Sequence, residues 1–215
     1  MIENQDGGNP RIDNQMFLDV LSEIGNIGAG NATTALASMI DKRIDLSVPK
    51  SDFVGLSEIS DIAGGAEEIV AGVYIEVNGE IDGVMMFIAD IETARMLVNA
   101  VMMDSGKDRE AHFPGFTDIE LSALTEVGNI ISGAYLTAIS SLLGMTIKPT
   151  VPLLSIDMAG AILSVPAIEF GKQGDYALLI ESQFNLQNIS VNGYFVLIPS
   201  EDSYKNILKK LGIEG

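Results

Sequence analysis

The sequence predicts an α/β (α+β) sandwich in which two α-β-β-β-α units, related by pseudo-twofold symmetry, share one mostly antiparallel sheet under two long helices. Three observations predict it: the chain repeats itself, its longer strands are linked as hairpins, and neither repeat is large enough to bury its own faces well. Asp19 to Pro49 aligns without gaps on Ser122 to Pro152, an offset of 103. Leu21, Glu23, Gly25, Asn26, Ile27, Gly30, Thr34, Ala35, Ser38, Ile44, Val48 and Pro49 all recur, twelve identities in 31 positions. Chance would give roughly two or three. Gly83 to Ile88 then matches Gly193 to Ile198 at an offset of 110, so 110 − 103 leaves seven extra residues between the matched blocks of the second copy.

Each repeat reads in the same order. A long helix comes first, about Asn14 to Ile40 and Asp118 to Leu143; Thr117 with Glu120 three residues on forms a capping box for the second. A strand through the Val-Pro pair follows, Ile44–Val48 and Ile147–Val151, with Pro49 and Pro152 read as strand-entry markers. Two longer strands come next, Glu68–Val77 with Gly83–Ala89, and Tyr176–Asn185 with Ser190–Pro199, the first pair joined at an Asn78-Gly79 turn. A short helix closes each copy, Ile91–Met103 behind an Asp90 cap and Glu201–Leu211 behind Ser200. The repeats span about 13–104 and 117–213 of a single domain, 13–215, after a flexible N-terminus, 1–12.

The composition narrows the function classes. Apolar residues make up 47% of 215 residues, which disfavours disorder over most of the length. There is no Cys, which excludes disulfides and thiol catalysis and fits a reducing compartment. No segment reads as a signal peptide or a membrane span, so a cytoplasmic location is expected. Twelve basic against thirty acidic residues leave a net charge of −18. Such a chain repels nucleic acid and anionic lipid and favours a partner with a basic patch, although charge of this size also serves simply to keep an apolar chain soluble.

On the first helix Asp19, Glu23 and Asn26 lie at i, i+4 and i+7, within about 60° of one another. The apolar face centres on the opposite side, so the trio should stand in solvent. Ser122, Glu126 and Asn129 repeat the design. Polar residues are ordinary on an outer helix face, but Asn is a poor helix former there. Gly25 and Gly128, directly before each Asn, cost a further ~1 kcal/mol relative to Ala. The expected reason is clearance for the backbone of a partner.

These residues carry a resemblance. Asp19-x3-Glu23-x2-Asn26-x22-Pro49 and Ser122-x3-Glu126-x2-Asn129-x22-Pro152 look like the paired signature of the CheC/CheX/FliY phosphatases of bacterial chemotaxis, and two intact copies resemble the CheC type. The resemblance runs from about Met16 to Leu211 and leaves the N-terminal dozen residues unmatched. It implies hydrolysis of the aspartyl phosphate on the response regulator CheY. Such a phosphatase needs no cofactor of its own, because the regulator supplies the Mg²⁺; the chain itself shows no metal-ligand set, and its single His, His112, stands alone in a polar linker. What remains to be supplied is a water held in line with the P–O bond. A neutral carboxamide can hold it beside a dianion, whereas a carboxylate is repelled. Asn26 and Asn129 are therefore expected to position water, and Glu23 and Glu126 to dock a Lys or Mg²⁺ of the partner. Asp19 and Ser122 are flanking contacts.

Gly25 to Gly30 lacks the Lys-Ser/Thr of a P-loop and lies inside a helix, which argues against nucleotide binding. The serious rival is a non-catalytic adaptor or flagellar-switch-like protein that binds the regulator without hydrolysing its phosphate. In the longer segment of the second copy, Asp157 is expected to cap a short apolar helix that Pro166 ends; the first copy offers only Ser60 to Gly65 there. That helix, with Asp157, Ile162 and Leu163, either covers the core or docks the receptor deamidase CheD, the partner that CheC proteins bind.

Overall fold

The computed structural model describes residues 15–38, 44–102, 115–170, 176–186 and 189–212. The N-terminal dozen and His112 lie outside the described residues. Alternation along the strands organises the molecule, since successive side chains point to opposite faces of a sheet. In β3 (Gly83–Asp90), Met85, Phe87 and Ala89 enter one core, while Val84, Met86 and Ile88 enter another. The sheet is thus covered on both sides. α1 (Gln15–Ala37), α3 (Ile91–Met102), α4 (Asp118–Leu143) and α6 (Glu201–Lys210) lie on the first face, and α2 (Leu56–Ile62) and α5 (Ala159–Phe170) on the second.

Seven strands form one sheet in the order β1 (Ile44–Gly55), β6 (Tyr176–Leu186), β7 (Ile189–Pro199), β3, β2 (Ile69–Gly79), with β4 (Ile147–Pro149) and β5 (Leu153–Met158) both paired to β2. Every pairing is antiparallel. The order has a consequence that local pattern does not carry. β1 of the first repeat pairs with β6 of the second, and β5 of the second pairs with β2 of the first. Each half lends its first strand to the other, and β3 against β7 closes the centre, with Phe87 opposite Phe195.

Local chemistry sets the helix ends. Thr117 and Glu120 close their capping box: the Thr117 amide donates to Glu120 Oε2 at 2.7 Å, and the Glu120 amide to Thr117 Oγ1 at 3.4 Å. Asp90 accepts from the Thr93 amide at 2.6 Å and Ser200 from the Ser203 amide at 3.3 Å. Gly144 ends α4 in the left-handed conformation, φ 61°.

Four expectations need correction. The first strand continues to Gly55, and Pro49 sits at an irregularity between Ser47 and Lys50 rather than at a strand entry; Pro152 falls at the matching break between β4 and β5. A proline cannot donate to the ladder, so both copies lose register there and resume. Pro166 does not end α5 but lies inside it, buried, because packing of that side on the sheet outweighs one missing helix bond. Asp157 belongs to β5, where its carboxylate accepts from the Met158 amide at 2.7 Å, and so does not cap α5. The first copy also has a helix at this point, α2, which Ile59 anchors at 1% exposure.

Candidate functional site: two Glu–Asn pairs on the long helices

α1 and α4 lie side by side on the first face and touch where small meets large. A Cβ at Gly28 would fall 2.2 Å from the Tyr135 ring, so the absence of a side chain at 28 is what admits the tyrosine. The ring also packs on Phe195 at 4.6 Å between centroids, and its hydroxyl shares a 2.8 Å hydrogen bond with Ser182. Burial pushes the Tyr135 phenol up to about 12, an effect the Ser182 hydrogen bond only partly opposes. The antiparallel pairing of β3 with β7 relates the halves by a rotation about an axis normal to the sheet, so α1 and α4 run in opposite directions. Both Glu–Asn pairs precede the crossing on their own helix, and they therefore lie toward opposite ends of the helical layer.

With Leu21 and Ile24 buried at 1%, Glu23 and Asn26 are turned outward and exposed, and so is Asp19. With Leu124, Val127 and Ile131 fully buried, Glu126 and Ser122 are exposed, whereas Asn129 is half-buried. The Ser122 hydroxyl donates back to the Asp118 carbonyl at 2.9 Å, an ordinary helical contact.

The glycines do something other than what their sequence position implies. A Cβ at Gly25 would lie 2.8 Å from a Val48 methyl and 2.9 Å from the Ser51 hydroxyl of β1; at Gly128 it would lie 2.6 Å from a Val73 methyl of β2. Both glycines are buried against the protein's own sheet. Their clearance lets each helix settle onto a strand and holds the next residue, the Asn, outward. They are not clearance for a partner.

The start of α4 is tied to α3. Arg95 Nη1 pairs with Glu120 Oε1 at 2.9 Å, Nη2 donates to the Gly115 carbonyl, and the guanidinium stands 3.8 Å from the centroid of the Phe116 ring. Sequence reading found Glu120 through its cap but missed Arg95, because no local spacing links residues 25 apart.

On the opposite face, Leu153, Asp157, Ala161 and Val165 border a groove of about 480 Å³ floored by Gly72, Tyr74 and Met86. Ile162 and Leu163 are 8% and 7% exposed and pack toward the sheet; Val165 and Ile168, at 57% and 67%, are large apolar side chains of α5 that face outward. Among the described residues no three His, Asp or Glu side chains gather as a metal site, and no helix is long and apolar enough to cross a membrane.

A family model described as the CheC-like family matches residues 16–51 and 119–156, the two segments that carry the Glu–Asn pairs. The chain is also 31% identical over 197 residues to the CheY-P phosphatase CheC of Bacillus subtilis (strain 168), covering 91% of this chain and 93% of that protein. The chain belongs to the CheC-like family. Among solved structures, Thermotoga maritima FliY superposes with a TM-score of 0.69 at 22% identity over 94% of this chain and 98% of that one. CheX in the Borrelia burgdorferi CheX-CheY-BeF3-Mg+2 complex superposes at 0.51 and 18% identity, covering 84% and 99%. These two likenesses concern the fold, and they place the CheC-like chain among proteins built on the same helix-covered sheet.

Proposed function

We propose that this CheC-like chain is a phosphatase that accelerates hydrolysis of the aspartyl phosphate of CheY, with one site on each long helix. The carrying observation is the pair of outward Glu–Asn stripes, Glu23 with Asn26 and Glu126 with Asn129, each held out by a glycine seated on the sheet. Small substrates are bound in concave, enclosing pockets. A carboxamide on an open helix face instead suits a substrate that brings its own enclosure, as a receiver protein with a buried phosphoryl group and its Mg²⁺ does. The named activity of the B. subtilis relative and the CheY partner of Borrelia CheX support the same reading.

In this reading Asn26 and Asn129 accept from and orient the attacking water in line with the P–O bond, an entropic contribution that needs no charge on the protein. Glu23 and Glu126 dock a cation of the regulator, and Asp19 and Ser122 flank the contact. Asn26→Ala with Asn129→Ala is expected to abolish the acceleration of CheY-phosphate decay with an unchanged circular dichroism spectrum. A double variant that hydrolyses at the wild-type rate would falsify the assignment. A non-catalytic adaptor is separated by stoichiometry: substoichiometric protein shortens the phosphate lifetime if the chain turns over, and leaves it unchanged or prolongs it if the chain only binds.

We further propose CheD as a partner at the groove beside α5, with Asp157 at its rim and Val165 and Ile168 in place of the buried Ile162 and Leu163 as apolar contacts. Asp157→Lys should weaken CheD capture in a pull-down; undiminished capture counts against this surface.

A further inference from the structure

The outward stripe of α4 does not begin at Ser122. One turn earlier it passes through Ile119, which is 65% exposed. At about 100° per residue, Ile119, Ser122, Glu126 and Asn129 fall within an arc of roughly 80°. At about 1.5 Å per residue, Ile119 stands about 15 Å along the helix from Asn129. The matching position of the first repeat, at the offset of 103, is also apolar in sequence, Met16.

A single exposed isoleucine is common on protein surfaces and means nothing by itself. Two further observations set this one apart. Helix ends ordinarily fray, yet the turn that carries Ile119 is held by the Thr117–Glu120 box, the Arg95–Glu120 ion pair and the Arg95–Phe116 stack. That turn is rigid while its outward side chain adds nothing to the core. The stripe also has a direction: from Asn129 it runs through Glu126 and Ser122 toward the helix start and ends at Ile119. A protein interface of ordinary size covers about 800 Å² per partner, roughly a disc of 16 Å radius. One centred on Asn129 reaches Ile119.

We propose that Ile119 is the apolar anchor by which the second Glu–Asn pair seats its phosphorylated response regulator. The proposal rests on the reading of Asn129 as the water-positioning residue. Binding energy at interfaces concentrates in a few well-held side chains. Glu126 can offer only a charge contact, which salt screens, whereas burial of Ile119 is insensitive to moderate salt. The rigid first turn presents that side chain without an ordering cost at the moment of docking.

The test uses the full chain with Asn26→Ala, so that only the second site turns over, and measures phosphate decay against the concentration of phosphorylated CheY. Ile119→Ser should raise KM about tenfold with kcat at saturation within twofold, and the loss should persist at high salt. Ile119→Leu should restore KM. Leu142→Ser, on the same helix but off the stripe and 41% exposed, should leave KM unchanged. An unchanged KM for Ile119→Ser overturns the anchor, as does a loss confined to kcat or one that Leu142→Ser reproduces. The two readings fail separately. If Asn26→Ala with Asn129→Ala is inactive but Ile119→Ser binds normally, the anchor alone is wrong; if the double variant remains fully active, the water-positioning reading and the anchor both fall.

Discussion

Tyr135 brings a hydroxyl into the fully buried contact of α1, α4 and β7, and Ser182 on β6 is its hydrogen-bonding partner. Its titration is predictable in sign. A phenol of ordinary value, 10.0, pushed up to about 12 in the folded state contributes stability that is complete below pH 10 and is lost as pH rises through 12. Melting temperature should therefore fall steeply between those values, and Tyr135→Phe should flatten that part of the curve. The same change strands the Ser182 hydroxyl, so at pH 7 it should lower stability by about 1–2 kcal/mol, measurable by denaturant titration. The asparagines of the two stripes also differ at this scale, Asn129 being half-buried and Asn26 exposed. Their residue types repeat perfectly and their environments do not.

At the scale of elements, the glycines decide how the long helices meet the sheet. Gly128→Ala gains about 1 kcal/mol of helix propensity but drives a methyl into Val73, an overpacking that costs about 1–3 kcal/mol. A net loss of stability and a displaced Asn129 are expected. Val73→Ala in the same chain removes the methyls at 2.6 and 3.0 Å but keeps the Val73 Cβ at 2.8 Å, so it should recover only part of the CheY-phosphate decay activity. A Gly128→Ala chain as stable and as active as wild type would show that the close approach is not needed. The repeats diverge here too. Gly25 rests on Val48 of its own repeat, but Val151, which matches Val48, is 79% exposed, and Gly128 rests on a strand of the other repeat. The Val-Pro identity that recurs at the offset of 103 therefore serves two different packings.

At the scale of the molecule, the crossed strands join the halves in one sheet. A chain ending before Phe116 would leave β1 without β6 and β2 without β5, and the complementary fragment would be equally deprived. Unpaired backbone groups and bared sheet faces are costly, so neither half should fold alone. Mixing the two should restore the circular dichroism of the whole. A half that unfolds cooperatively by itself would refute this.

What the sequence alone determined is what short-range physics writes into it. The periods of 3.6 and 2, the caps at Thr117, Asp90 and Ser200, and the polar stripe of Glu and Asn depend on residues within a few positions of one another, and the twofold repeat is legible because the same short patterns recur at an offset of 103. What only the tertiary structure decided is long-range: the exchange of first strands, the inward role of Gly25 and Gly128, the burial of Ile162 and Leu163, the passage of α5 through Pro166, and the Arg95 tether. In each of these the deciding partner lies on another element, and complementarity of shape between distant elements leaves no periodic trace in the chain.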